Sequence, residues 1–249
     1  MVILGIPPKL ENGAMMSQPE FHALYEQCEE LRHVELIEGV VYMDTTFHRG
    51  LPPGLENGAV MTQPEFHALY EQAEGLSRVE LIEGVVFMPS PVKLEGHARE
   101  QSAMWSWLQT YADLWPGEVE ASGPVTLILD AGNEPEPDAL MFRVSPDRLE
   151  NGYIKGAPEL LVEISNTSAS RDLHWKKDVY ERNGVLEYIV WQTQEKVIDW
   201  FQLRDGVFIQ REPDPDGMIE SEVFPGLRLD VPAMLAGDRA KVRAAVVRR

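Results

Sequence analysis

Two apolar runs enclose a polar, helix-patterned stretch between Leu160 and Gln192, LLVEISNTSASRDLHWKKDVYERNGVLEYIVWQ. The first run predicts a buried strand. A polar turn follows, Asn166-Thr167-Ser168-Ala169-Ser170, then a helix from Asp172 to Asn183 and a second strand from Leu186 to Trp191. Together they have the length of one βαβ unit. Upstream, His97 to Leu114 predicts a helix with Met104, Trp107, Leu108 and Tyr111 on one face. Gly123 to Leu129 and Ala139 to Val144 predict strands joined by a turn at Asp130-Ala131-Gly132-Asn133. Downstream, Lys196 to Leu203, Val207 to Glu212 and Met218 to Val223 predict an antiparallel meander. From Pro232 the pattern is helical and ends on Arg239, Lys241, Arg243, Arg248 and Arg249, which reads as a solvated, frayed end.

The N-terminal part is a duplication. Pro7 to Met43 recurs as Pro52 to Met88, an offset of 45 (52 − 7). Two copies make a local duplication and not a solenoid. Each copy opens with a capping box, Ser17-x-x-Glu20 and Thr62-x-x-Glu65, with Pro19 and Pro64 in the first turn. A short amphipathic helix follows, then a hairpin turning near Gly39 or Gly84. Only the second copy runs on into the rest of the pattern. The expected organisation is therefore residues 1–50 as an appended helix–hairpin copy, 51–235 as the working domain and 236–249 as a basic tail.

Composition narrows the function. A 44% hydrophobic fraction in 249 residues supports a real core. A formal net charge of −19 disfavours nonspecific capture of nucleic acid or an anionic membrane and favours divalent cations. Cys28 is the only cysteine, which excludes an internal disulfide and a thiolate cluster. No stretch approaches the roughly 20 apolar residues of a membrane span, and MVILGIPPKL lacks a basic leader. The expected location is cytoplasmic.

Glu163 is the anomaly, because a carboxylate inside a buried strand is costly unless it is paired or binds a metal. Asp138 heads another apolar run, and Lys176 lies one turn into the helix that follows Glu163. Two carboxylates on neighbouring strands can share one divalent metal, with the backbone carbonyl of Ile164 as a third ligand. Hard oxygen donors suit Mg²⁺ or Mn²⁺. A nearby lysine can orient a water or stabilise charge on a phosphate.

The order Pro137-Asp138, Glu163 about 25 residues later, then lysine resembles the PD-(D/E)xK nuclease superfamily. In detail it resembles the Uma2 family (DUF820, restriction-endonuclease-type proteins). The carrying residues are Thr62 to Phe66, Val79-Glu80-Leu81-Ile82-Glu83-Gly84, Ser90-Pro91 to His97, Pro137-Asp138, and Val162-Glu163-Ile164-Ser165 through Asp172, Lys176 and Tyr180. They span about residues 60–203. The resemblance implies an α/β (α+β), restriction-endonuclease-like fold: a central mixed sheet flanked by helices. It implies a metal site at Asp138 and Glu163, with Lys176 taking the lysine role that the superfamily places at position 165, here serine. Glu80 would be a further acidic ligand or would position a water, and His97 would be a supporting or phosphate-contacting group.

Each residue also has a structural reading. Asp138 could start a turn, and Lys176 could make an i,i+4 pair with Asp172. Tyr180 reads as core, His97 as a polar helix start, and Glu80 has a twin at Glu35 that cannot share its site. The leading expectation is a Mg²⁺-dependent endonuclease acting on DNA. The alternative is an inactive nuclease-fold protein serving as a binding or assembly module. The copied hairpin offers edge strands through which residues 1–50 could build a homodimer.

Overall fold

The computed structural model describes residues 14–25, 34–37, 40–43, 52, 54–73, 79–88, 94–165 and 172–248. The turn expected at 166–170, Ser90-Pro91, Cys28 and Gly39 lie outside them. In the first copy helix α1 is Gln18–Tyr25, and strands β1 (Val34–Ile37) and β2 (Val40–Met43) form an antiparallel hairpin. In the second copy α2 is Gln63–Tyr70, followed by the hairpin of β3 (Glu80–Ile82) and β4 (Val85–Phe87). The β3–β4 turn is Glu83-Gly84, with φ of 53° and 74°. Two successive positive φ values make the primed turn that matches strand twist, and only a residue such as glycine takes the second without strain.

Helix α3 is Arg99–Ala112 and buries Met104, Trp107, Leu108 and Tyr111, as its apolar spacing predicts. Strands β5 (Val119–Ser122), β6 (Leu127–Ile128), β7 (Ala139–Arg143), β8 (Leu149–Glu150), β9 (Tyr153–Lys155) and β10 (Leu160–Ser165) follow. Helix α4 is Lys177–Arg182 and ends at Gly184, whose φ of 82° reverses the chain. Then come β11 (Glu187–Gln192), β12 (Val197–Arg204), β13 (Val207–Arg211), β14 (Met218–Glu220), β15 (Arg228–Asp230), α5 (Val231–Leu235) and α6 (Arg239–Ala244).

A six-stranded mixed sheet of order β13-β12-β11-β10-β7-β5 carries the domain. β10 and β11 are parallel, joined by α4 as the predicted βαβ unit, and its other pairings are antiparallel. Strands covered on both faces read as continuous apolar runs rather than alternating ones. Hence β10 is buried along its whole length, including Glu163. Alternation sorts the side chains into two layers. Leu160, Val162 and Ile164 join Trp107, Leu108 and Trp200 on the α3 face. Leu161 and Val190 join Tyr180, Tyr188 and Phe201 on the α4 face.

Three expectations need correction. The strand predicted over Gly123 to Leu129 is instead β5 at Val119–Ser122 and the two-residue β6. β6 belongs with β8 and β9 in a separate small sheet. The meander stops at β13, because β14 pairs with β15 rather than extending the main sheet. The basic C-terminal stretch is not frayed: Val242 is 2% exposed, Arg239 donates to the Arg99 carbonyl, and Arg248 lies over the Trp115 ring. Arginines there keep their charged ends outward while Val242 closes the α3 face of the core.

Candidate active site

The structure brings Glu80, His97, Asp138, Glu163, Ile164 and Lys176 together. Asp138 immediately precedes β7, and Glu163 lies in β10. β7 and β10 pair antiparallel as far as Val162↔Ala139. The next positions in that register are Glu163 and Asp138. The ladder ends there, so a side chain takes over: Asp138 Oδ2 accepts the Ile164 N–H at 2.8 Å.

Each carboxylate is contacted by two side chains four residues apart in sequence, a spacing that places both on the same face. Asp138 Oδ1 accepts from Gln101 Nε2 at 2.8 Å and lies 3.1 Å from His97 Nε2. Glu163 Oε1 accepts from Lys176 Nζ at 3.0 Å and from the Tyr180 hydroxyl at 2.8 Å. His97 lies in a π-helical turn, Leu94–Ala98, that runs directly into α3. Lys176 closes a second π turn, Asp172–Lys176, that runs into α4. Such wide turns recur at functional sites because they offset the helix that follows.

Lys176 is the hub. Its Nζ donates to Glu80 Oε1 at 2.7 Å as well as to Glu163. Glu80 Oε1 also accepts the Glu136 N–H at 2.9 Å. His97 Nδ1 lies 3.0 Å from the Ile164 carbonyl oxygen. The groups are deep: Lys176 is 2% exposed, Glu163 3%, Glu80 6% and Asp138 7%. Burial, then the Glu163 charge, raises the Tyr180 hydroxyl well above its ordinary pKa, so it stays protonated and donates. Lys176 is not an exposed helix lysine: it is buried and bridges Glu80 and Glu163. Tyr180 is core, as expected, but its hydroxyl belongs to the site. Lys177, beside Lys176, lays its ammonium 4.2 Å over the Phe201 ring.

Gln101 escaped the sequence reading. It carries no charge and sits on an ordinary amphipathic helix. The one available signal was its position four residues after His97.

Glu80 and Glu163 share the Lys176 ammonium, and Asp138 lies against His97 and Gln101. A divalent cation would add positive charge among these buried acids. The oxygens of Asp138, Glu163 and Ile164 suit Mg²⁺ or Mn²⁺ by hardness, with the remaining positions left to water and substrate. Among the described residues no three His, Cys, Asp or Glu side chains form a cluster able to hold a metal by themselves. Any such ion would thus lean on the carbonyl and on non-protein ligands. The fit is one of donor chemistry.

A mixed sheet with flanking helices and acidic residues where its central strands part is the architecture of restriction-endonuclease-like nucleases. The model of the Uma2 family, described as "Putative restriction endonuclease", matches residues 63–232, and the chain belongs to that family. A solved structure, "a putative nuclease belonging to DUF820" from Anabaena variabilis ATCC 29413, is similar with a TM-score of 0.55. It shares 18% identity over 68% of this chain and 96% of that one, a likeness of fold. No curated protein matches. The family supports a nuclease function. Among the described residues no helix is long and apolar enough to cross a membrane.

Proposed function

We propose that the protein is a divalent-metal-dependent endonuclease that hydrolyses DNA phosphodiester bonds. The observation that carries this reading is the buried Asp138–Glu163 pair at the end of the β7–β10 ladder, with Lys176 held between Glu163 and Glu80. Asp138, Glu163 and the Ile164 carbonyl would hold Mg²⁺ or Mn²⁺. When bound, such an ion polarises a phosphoryl oxygen and lowers the pKa of a water.

The chain's own groups do the rest. Gln101 and the Ile164 N–H fix the Asp138 carboxylate, and Tyr180 fixes Glu163. Lys176 presents a fixed positive charge where negative charge builds on a phosphate, a preorganised effect strengthened by exclusion of water. Glu80 orients that ammonium. His97 touches both the Asp138 and the Ile164 oxygens and acts as the supporting group between them.

Supercoiled plasmid with Mg²⁺ or Mn²⁺ tests this. Nicking is expected from the wild type, with loss on adding EDTA and in Glu163→Gln. Unchanged nicking in Glu163→Gln or Asp138→Asn would mean the site is elsewhere. A non-cleaving binding or assembly module is the second reading, favoured by the net charge of −19 against a polyanionic substrate. A calorimetric Mg²⁺ titration without binding, together with no nicking, would select it.

A further inference from the structure

Where both are described, the two N-terminal copies fold alike. Both contain the octapeptide QPEFHALY, as α1 and as α2. Ser17 N–H reaches Glu20 Oε2 at 2.9 Å, and Thr62 N–H reaches Glu65 Oε2 at 2.9 Å. Val41 N–H donates to the Ala14 carbonyl at 2.8 Å, and its counterpart Val86 donates to Ala59 at 2.9 Å. Glu35 pairs across its hairpin with Tyr42 as Glu80 does with Phe87. The family match starts at Gln63 and so uses the second copy.

That copy is seated on one segment of the domain, centred on Glu134. The Glu134 peptide pairs with Leu81 in both directions, at 2.8 and 3.1 Å. Its fully buried carboxylate accepts from Gln63 Nε2 at 2.5 Å and lies 2.8 Å from His67 Nδ1. Glu80 completes the seat by taking the Glu136 N–H and Lys176. Gln63, His67, Glu80 and Leu81 are among the residues that hold the second copy there, with Glu83 and Gly84 bonding Asn133 and Gly132 beside them. At the 45-residue offset the first copy repeats the first four, as Gln18, His22, Glu35 and Leu36.

We propose that residues 14–43 are an alternative occupant of this seat within the same chain, and that Glu35 then replaces Glu80 against Lys176. The seat admits one copy at a time, which reconciles the twinned glutamates with a single site. The inference concerns docking and does not depend on nuclease activity.

Loop length sets the balance. Five residues (89–93) link the second copy to Leu94, whereas fifty (44–93) would link the first. The closure penalty grows as the three-halves power of length, so a tenfold longer link disfavours the first copy about 30-fold. Glu80→Gln removes one partner of a buried ion pair while Glu35 stays intact. At the low end of the range for such losses this shifts the balance roughly 100-fold toward the first copy. The exchange thus moves from a minor state to the major one.

The test is a disulfide trap in the full chain with Cys28→Ala, the residue the second copy carries at Ala73. Hydrogen-bonded antiparallel partners have Cα atoms about 5.5 Å apart, within disulfide reach. Leu81→Cys with Glu134→Cys reports the second copy, and Leu36→Cys with Glu134→Cys reports the first. In a glutathione buffer the 36–134 link, mapped by non-reducing proteolysis, should form slowly and accelerate more than tenfold on adding Glu80→Gln. A 36–134 pair that stays reduced while 81–134 oxidises would overturn the proposal. So would links found only between chains on a non-reducing gel, because the occupant would then be a second molecule. A measurement without cysteines guards against loss of Glu134: Glu35→Gln should leave the melting temperature unchanged alone and lower it in Glu80→Gln. If Glu35→Gln is silent in both backgrounds, there is no exchange.

Discussion

Replacing Lys176 with methionine should destabilise the domain more than any conservative change at its surface. Lys176 is 2% exposed, and its ammonium lies 2.7 Å from Glu80 and 3.0 Å from Glu163. Methionine fills much of the same volume, so little cavity term arises. What remains is two buried carboxylates that lose their cation. Breaking a buried pair from one side costs about 3–5 kcal/mol. The Tyr180 hydroxyl and the Glu136 N–H still donate to these carboxylates and hold the loss toward the lower figure. For a domain of this size about 3 kcal/mol lowers Tm by roughly 6–12 °C. Urea unfolding followed by circular dichroism measures it, with an unchanged m-value as the check that the unfolded state is the same. Adding Glu80→Gln and Glu163→Gln to Lys176→Met should recover most of the loss, because removing every charge of a buried cluster is close to neutral. A loss below about 1 kcal/mol for Lys176→Met, or no recovery in the triple variant, would refute the view that these three groups are coupled by charge in the interior.

Three further outcomes follow from the same structure. Glu187 is fully buried, and burial pushes its pKa up to about 7, against the Ser221 hydroxyl and the Glu222 N–H. A raised folded pKa means that the contribution is complete below the unfolded value near 4.5 and fades as pH rises through 7. Wild type should therefore lose about 3 kcal/mol between pH 4.5 and 8 from this group, and Glu187→Gln should flatten that slope in urea titrations at several pH values. Tyr180→Phe removes the hydroxyl from Glu163 and should cut metal-dependent nicking roughly tenfold through loss of one hydrogen bond to a charged group, while a full-rate variant would show that Glu163 needs no such support. Gly226 has φ of 94°, and an added Cβ would meet the Val247 carbonyl oxygen at 2.1 Å, so Gly226→Ala should cost about 1–3 kcal/mol by strain and displacement of the C-terminal segment, read from thermal melts against Gly123→Ala, where the space is open.

The parts of the fold that were legible from sequence are those whose patterns arise from burial on two faces. The runs around Glu163 and Val190 announced β10 and β11, and their spacing announced the helix between them. The site was legible through Glu163, whose charge contradicts its surroundings, and then through the order of Asp138, Glu163 and Lys176. Other parts carried weaker signals. β8 and β9 are two and three residues long, too short for alternation to register. β5 was displaced because Val119-Glu120-Ala121-Ser122 is less apolar than the run from Val125 to Leu129, which instead packs as an irregular segment around β6. β14 was drawn into a meander because sequence shows where a strand starts and not which sheet receives it. Gln101 was silent, since an amide looks the same whether it faces water or a carboxylate.

The two π turns give the site a tolerance that its close packing would otherwise deny. A π turn holds one residue more than an α turn of the same rise. The turns Leu94–Ala98 and Asp172–Lys176 therefore act as slack placed directly ahead of the helices that carry Gln101 and Tyr180. Loss of one residue from the chain before either helix can be absorbed by the wide turn tightening to an α turn. The angular phase of α3 and α4 would then hold, and with it the aim of Gln101 and Tyr180. Length variation in these approaches is thus decoupled from the orientation of Gln101 and Tyr180, while His97 and Lys176, lying in the turns themselves, register it.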